Sequence, residues 1–172
     1  MTISRRWVVA GALSAPAIVA STRLGSAAPA QTLKISHQFP GGTIDEGDFR
    51  DRLCRKFAAE LEKQTNGALA VQVYPNSSLM KTVAQFSAVR KGALDLTLYP
   101  ISYAGGEYAE LNIGLMPGLV SSYAQGAAWK GSPVGQKFRA FLAEKGVVIL
   151  SWIWQSGGVS SRNATIINPS VA

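Results

Sequence analysis

The sequence is poor in the residues that most often perform chemistry, with one cysteine, Cys54, and one histidine, His37, among its 172 residues. A single cysteine excludes an intrachain disulfide and a cysteine-based metal cluster. The sequence also lacks a G-x-S-x-G elbow, an H-E-x-x-H pair and a glycine-rich phosphate loop. We therefore expect that the protein is not an enzyme and holds no metal and no cofactor. An exported hydrolase that uses His37 as its base is the alternative left open.

Long apolar runs are missing as well. The longest, over residues 8–20, is interrupted by glycine, serine and proline, and it is too short for a hydrocarbon core that needs roughly 20 apolar residues. A basic start, an apolar middle and the small residues at 25–30 predict an exported signal peptide over 1–30. Adjacent Arg5 and Arg6 favour the twin-arginine form, with an ordinary secretory leader as the alternative. Both forms predict a periplasmic protein that is not embedded in the membrane.

Basic patches typical of nucleic-acid binding are also absent. The leader carries three arginines and no acidic residue, which leaves 14 basic residues against 10 acidic ones and lowers the formal charge from +7 to +4. The densest basic group, over 50–56, lies among acidic residues and is interpreted as a solvated helix face. No stretch after the leader interleaves basic and aromatic residues, so we expect no nucleic-acid partner.

Strand patterns recur along the rest of the chain. Alternating apolar and polar residues predict strands over 32–39, 68–74 and 93–99. The continuous apolar run over 147–154 predicts a fourth strand, covered by helices on both faces. The segment 103–120 is rich in glycine and is predicted to be a loop with one short helical turn.

Helix patterns alternate with these strands. One helix is predicted to start at Phe49 and to end before Asn66-Gly67, with a buried stripe formed by Phe49, Leu53, Phe57 and Leu61. Others are predicted over about 79–91, after a cap at Ser121 or Ser122, and over 132–146. This order predicts an α/β fold in which helices flank an open, mainly parallel sheet, as a single lobe over 31–172.

Parallel sheets of this kind bind ligands beyond the carboxyl ends of their strands. The three clearest strand exits, over 36–42, 99–106 and 154–163, combine aromatic or hydrogen-bonding side chains with glycines. Such a mixture suits a small polar ligand that backbone N–H groups approach closely. The alternative is that glycine and proline only mark the loops there.

Four segments, "LKISHQFPGG", "KQTNGALAVQVYPNSSL", "AVRKGALDLTL" and "AELNIGLMPGLV", resemble the solute-binding receptors of tripartite ATP-independent periplasmic (TRAP) transporters, of the dicarboxylate-receptor (DctP) type. The third is the most specific, because an arginine-lysine-glycine helix end and an aspartate inside a strand occur in the same order. The resemblance implies a two-lobed venom-flytrap fold of the type II-like periplasmic-binding-protein kind. Such a receptor closes on an organic carboxylate, with C4-dicarboxylates among the candidates, and delivers it to a TRAP membrane permease driven by an ion gradient.

The resemblance also implies which residues line the pocket, namely His37, Gln38, Tyr99, Ile101, Trp154 and Ser160. A family arginine is expected near Ser160, and Arg162 is the candidate to replace it. The family arginine that pairs with the ligand carboxylate, and the whole second lobe, are expected to be missing from this truncated chain, so that binding is weak or lost. A stand-alone periplasmic interaction module and a non-functional gene fragment remain the alternatives.

Overall fold

The computed structural model describes residues 31–155, 157, 161 and 162. The predictions that concern the leader with Arg5 and Arg6, and the prediction for Ser160, fall outside the described residues. The regular elements, in chain order, are β1 (Gln31–His37), α1 (Phe49–Gln64), β2 (Leu69–Tyr74), α2 (Thr82–Arg90), β3 (Leu96–Leu98), α3 (Tyr123–Ala128) and α4 (Pro133–Glu144). No helix among these is long and apolar enough to span a bilayer.

The sheet has the predicted parallel order. β1 lies in the centre, with β2 on one side and β3 on the other, and both neighbours run parallel to it. Ile35 is paired with Val73 in β2 and with Leu96 in β3. Because parallel neighbours need a crossover connection, α1 and α2 lie between the strands in sequence and the three carboxyl ends meet at one edge. The α/β fold class is therefore confirmed.

The main apolar core lies between α2, α4 and the segment that follows β3. Its buried members are Phe86, Ala104, Leu111, Phe138 and Leu142. Phe86 stacks on Tyr99 with ring centres 6.2 Å apart, and this contact joins α2 to the exit of β3. The core thus supports one side of the ligand edge that the sequence predicts.

The helix α4 follows its predicted signals closely. Ser132 caps it through its side-chain oxygen, which accepts a hydrogen bond from the Gly135 N–H at 3.0 Å, and Pro133 is its first residue. Gly146, just beyond the end, has a φ of +80°, which glycine adopts without strain. Both ends of this helix were predictable because local residues specify them.

Replacing Ser132 with alanine is expected to lower the free energy of unfolding by about 1 kcal/mol, since the helix loses its N-terminal acceptor. Urea denaturation followed by circular dichroism measures this change. Ser151→Ala is the matched control, because Ser151 is exposed and caps no helix. Equal stabilities of the two variants would contradict the capping role.

One sequence prediction is wrong on α1. Phe49 is 46 % exposed, and Leu53 and Phe57 are exposed too, so the predicted stripe does not face the core. Asp51 and Cys54 are buried in its place, because Asp51 hydrogen-bonds to partners on the inner side of the helix. In α2, Phe86 is buried, whereas Val83 is exposed.

The segments around α3 and α4 also differ from the predictions. Residues 147–154 form no strand within the described part of the chain, and Val148 and Leu150 on the outer face are 70 % and 67 % exposed. Only the inner face packs on the core, so the prediction that helices cover both faces is wrong. The segment 103–120 holds more helix than predicted, because a 3₁₀ helix over Ala109–Leu115 follows another over Ile101–Ala104. The cap at Ser122 is confirmed by its bond from the Gln125 N–H.

Candidate functional site

The exits of β1 and β3 lie side by side at the carboxyl edge of the sheet. The Gln38 side-chain amide donates a hydrogen bond to the Tyr103 hydroxyl at 3.5 Å, although 65 residues separate them in sequence. The ring of Tyr103 meets the ring of Tyr99 edge-on, with centres 6.0 Å apart. The structure therefore brings together Gln38 and Tyr99, two of the residues predicted to line a pocket, and adds Tyr103, which sequence reasoning had missed.

Tyr99 presents a buried hydroxyl. The hydroxyl oxygen has no hydrogen-bond partner within the described part of the chain. Burial raises the pKa of this phenol, and the nearby Glu107 and Tyr103 raise it further, so the group is a neutral donor at neutral pH. Ile101, two residues later, packs against the apolar core, as the Tyr99 ring does.

Trp154 lies in a cluster of aromatic rings. Its ring stacks on Trp152 at 6.2 Å and meets Trp129 edge-on at 5.5 Å. Gly126 makes this packing possible, because a Cβ at that position would come within 2.7 Å of the Trp154 ring. The indole nitrogens of Trp129 and Trp154 are buried without a partner among the described residues. The predicted pocket residue Trp154 is therefore held rigidly by its neighbours.

Arg50 links the third exit to the first. Its guanidinium lies 3.7 Å from the centre of the Phe39 ring. It also forms a bidentate salt bridge with the Asp48 carboxylate, with hydrogen bonds of 2.8 Å and 2.6 Å. A third donor reaches the Gln155 side-chain oxygen at 3.2 Å. The hydrogen bond from Arg50 lowers the pKa of Asp48 to about 2. The interpretation of residues 50–56 as a solvated helix face is therefore incomplete, because Arg50 makes these contacts. Asp48 at the helix cap is the sequence signal that could have indicated a partner for Arg50.

His37 is completely buried below this edge. Its Nε2 lies 3.1 Å from an oxygen of the Asp51 carboxylate, which is completely buried as well. Burial lowers the pKa of His37 below 6.5 despite the attraction of Asp51, so the imidazole is neutral at neutral pH. The structure thus places His37 against Asp51, and its direct contact with a ligand stays a prediction.

The exit of β2 completes the edge. Asn76 and Ser77 both have left-handed backbones, with φ of 55° and 54°, which residues with side chains rarely adopt. The exit of β1 holds them in place, because Asn76 N–H donates to the Phe39 carbonyl at 3.0 Å and Ser77 N–H to the His37 carbonyl at 2.8 Å. Such strained residues persist only where the surroundings fix them. The β2 exit therefore supports the loop that carries Gln38.

The remaining predicted position, Arg162, is exposed. Among the described residues, no group of three or more histidine, cysteine, aspartate or glutamate side chains could hold a metal ion. The edge instead offers hydrogen-bonding side chains from Gln38, Tyr99 and Tyr103, and the guanidinium of Arg50 lies over the Phe39 ring at the first exit. These groups suit a small polar ligand that carries oxygen atoms.

Comparisons with known proteins identify the family of this chain. The chain matches the model of the DctP family, described as bacterial extracellular solute-binding protein, family 7, over residues 45–169. A solute-binding protein of Albidiferax ferrireducens is 63 % identical over 157 residues, covering 90 % of this chain and 46 % of the relative. The 2,3-diketo-L-gulonate-binding periplasmic protein YiaO of Escherichia coli is 25 % identical, covering 84 % of this chain and 43 % of the relative. The chain thus spans less than half the length of these relatives.

A solved structure is similar in both fold and sequence. The crystal structure of a TRAP periplasmic solute binding protein from Rhodoferax ferrireducens, with bound malonate, superposes with a TM-score of 0.78 at 65 % identity. The match covers 80 % of this chain and 44 % of that one. From its match to the family model over most of its length, this chain belongs to the DctP family of bacterial extracellular solute-binding proteins.

Proposed function

We propose that this chain forms the amino-terminal lobe, over 31–172, of a periplasmic TRAP receptor that captures a small organic acid and delivers it to a membrane permease. The observation that carries the proposal is the convergence of Gln38, Tyr99 and Tyr103 at one edge of a parallel sheet. A relative at 65 % identity was crystallised with malonate, a small dicarboxylate, which supports a ligand of this class.

The donors at this edge account for part of such a site. Carboxylate oxygens accept hydrogen bonds strongly, and the Tyr99 hydroxyl is a buried donor without a partner among the described residues. Arg50 adds a positive charge, although Asp48 already neutralises much of it. One lobe buries a ligand on one side only, so we expect weak binding by this chain and tighter binding where a second lobe closes over the ligand.

The export of this chain is part of the same proposal. The leader over 1–30, with Arg5 and Arg6, is proposed to direct the protein to the periplasm and to be removed there. N-terminal sequencing of the protein recovered from a periplasmic extract tests this. A product that begins near residue 31 supports export with removal of the leader, whereas a periplasmic product that keeps residues 1–30 contradicts that removal.

Replacing Tyr99 with phenylalanine is expected to weaken malonate binding by about tenfold, because a buried donor to a charged ligand is lost without a change in ring packing. Isothermal titration calorimetry with malonate measures the dissociation constant. Tyr123→Phe is the matched control, because Tyr123 is 69 % exposed at the start of α3. Equal affinities of the two variants would contradict a ligand site at Tyr99.

The exposed apolar side chains favour one second candidate, a periplasmic interaction module. Phe49, Leu53 and Phe57 form an exposed stripe on α1, and such stripes mark surfaces that another protein covers. The two candidates differ in their response to malonate. A receptor lobe shows saturable binding that Tyr99→Phe weakens, whereas an interaction module shows no binding of malonate at any concentration.

A further inference from the structure

The buried carboxylate of Asp51 joins three separate parts of the chain. One oxygen lies 3.1 Å from His37 Nε2 in β1, and the other accepts from the Gly42 N–H at 2.8 Å and from Arg55 Nε at 2.7 Å. Gly42 belongs to the loop over 38–48, which connects β1 to α1 and carries Gln38. A carboxylate with three donors is well satisfied even though it is completely buried.

The β1–α1 loop is constrained by close packing in addition to its contact with Asp51. A Cβ at Gly42 would overlap the Glu46 carbonyl, and one at Gly41 would come within 2.8 Å of the Pro75 ring. Gly47 has a φ of +99°, which suits glycine alone. The loop is therefore packed closely on itself and on the β2 exit, and the bond from Gly42 to Asp51 attaches its middle to α1.

The two ring nitrogens of His37 differ in their hydrogen bonding within the described residues. Because a carboxylate can only accept, Nε2 carries the proton and donates it to Asp51. The other nitrogen, Nδ1, is buried and has no partner within the described residues. A second proton on His37 would therefore place an N–H group, and a positive charge, where no described acceptor meets it.

The charges around His37 come from α1 and its cap. Asp51 and Asp48 favour a protonated imidazole, Arg55 opposes it, and burial opposes it most strongly, so the pKa of His37 lies below 6.5. Burial raises the pKa of Asp51, but the bonds from Arg55 and Gly42 outweigh it and leave the pKa below 3.8. From the sheet and the β2 exit, His37 meets Leu98 and Ser77, which carry no charge. Cys54 next to Asp51 stays protonated, since burial raises the pKa of its thiol to about 12.

We propose that the Asp51–His37 pair positions the β1–α1 loop at the ligand edge and makes ligand affinity fall when His37 gains a second proton. Asp51 and His37 are positioning residues in this account, acting through Gly42 and Gln38. The inference deepens the proposed function and rests on it. Because burial holds the pKa of His37 below 6.5, full affinity is expected at pH 6.5 and above, and affinity is expected to be lost as the pH falls through that lowered pKa.

The first test uses Asp51→Asn, with Asp45→Asn in the same loop as the control, because the Asp45 side chain is exposed. Asp51→Asn is expected to weaken malonate binding by about tenfold at pH 7.5. It is also expected to speed hydrogen exchange of the Gly42 amide by at least about tenfold, while Asp45→Asn changes neither quantity. Unchanged exchange and affinity in Asp51→Asn would overturn the proposal.

The second test isolates the effect of protonating His37 on ligand affinity. His37→Gln keeps a side-chain amide that can donate to Asp51 but does not titrate. As the pH falls from 7.5 through the titration of His37, the loss of affinity is therefore expected to be about tenfold larger for the natural protein than for His37→Gln. Malonate itself gains a proton in acid, and the comparison of the two proteins removes that effect. Equal pH profiles of the two proteins would overturn the proposal.

A third measurement distinguishes a failure of this inference from a failure of the proposed function. It uses the natural protein, so it does not depend on the folding of any variant. His37 is the only histidine, so one imidazole signal in NMR spectra reports its titration without ambiguity. If malonate binds to none of the proteins, the proposed function fails, and the positioning role is judged on the amides of Gln38 and Gly42. Shifts of these amides that follow the His37 titration support the positioning role, and amides that do not respond to it overturn that role.

Discussion

Leu142→Ala is expected to lower the free energy of unfolding by about 3 kcal/mol. Leu142 is completely buried on α4, where it packs with Phe138, Leu111 and Phe86 in the main core. Removing three carbon atoms there loses apolar burial and leaves a cavity, and the surrounding rings are too rigid to fill it. Urea denaturation at pH 7.5, followed by far-ultraviolet circular dichroism, measures the change.

The matched control is Leu150→Ala, because it makes the same chemical change at a side chain that is 67 % exposed. Its effect is expected to stay within about 0.5 kcal/mol. A loss of similar size in both variants would show that Leu150 is covered in solution, and that the outer face of 147–154 is buried against another surface.

Gly135→Ala is expected to destabilise the protein by about 3 kcal/mol, at the upper end of the cost of overpacking. Gly135 is buried in the first turn of α4, and a Cβ there would overlap the backbone carbonyl of Trp129. That carbonyl cannot move freely, since it accepts hydrogen bonds from the Ser132 backbone N–H at 3.0 Å and hydroxyl at 2.8 Å. The clash is therefore relieved only by shifting the start of α4, which also moves Phe138 and Leu142 in the core.

Gly131→Ala is the control for this substitution. Gly131 lies four residues earlier, and a Cβ at that position would meet no atom within 4 Å. The change in its free energy of unfolding is expected to stay within about 0.5 kcal/mol. Thermal and urea denaturation of both variants give the comparison, and equal stabilities would mean that the start of α4 adapts to the added methyl group.

Sequence reasoning predicted the scaffold well because local residues specify it. The strands β1 and β2 each show two-residue alternation and end at proline-containing turns, and the structure places them within one or two residues of the predicted bounds. Ser132, Pro133 and Gly146 mark the ends of α4 from the sequence alone. The parallel sheet then follows from the alternation of these elements, since each crossover helix returns the chain to the same edge.

The candidate site was predicted only in part. The sequence placed Gln38 and Tyr99 at strand exits, whereas the spatial strand order β2-β1-β3 of the folded sheet makes these two exits adjacent. Arg50 was interpreted as part of a solvated helix face, yet it contacts Gln155, which lies 105 residues further along the chain. No periodicity within one helix can report a contact of that kind.

The sequence by itself determined the strands β1 and β2, the helices α1, α2 and α4, their order, and the edge of the sheet at which the candidate site residues Gln38 and Tyr99 lie. Only the tertiary structure decided which face of α1 is buried, with Asp51 turned inward and Phe49 turned outward. The physical reason is that a buried carboxylate is tolerated only when several donors meet it, and those donors come from His37, Gly42 and Arg55. The periodicity of apolar residues predicts a buried face from hydrophobicity alone. It does not show that a strand, a loop and a helix each bring a polar partner to one carboxylate, because that depends on the folded chain as a whole.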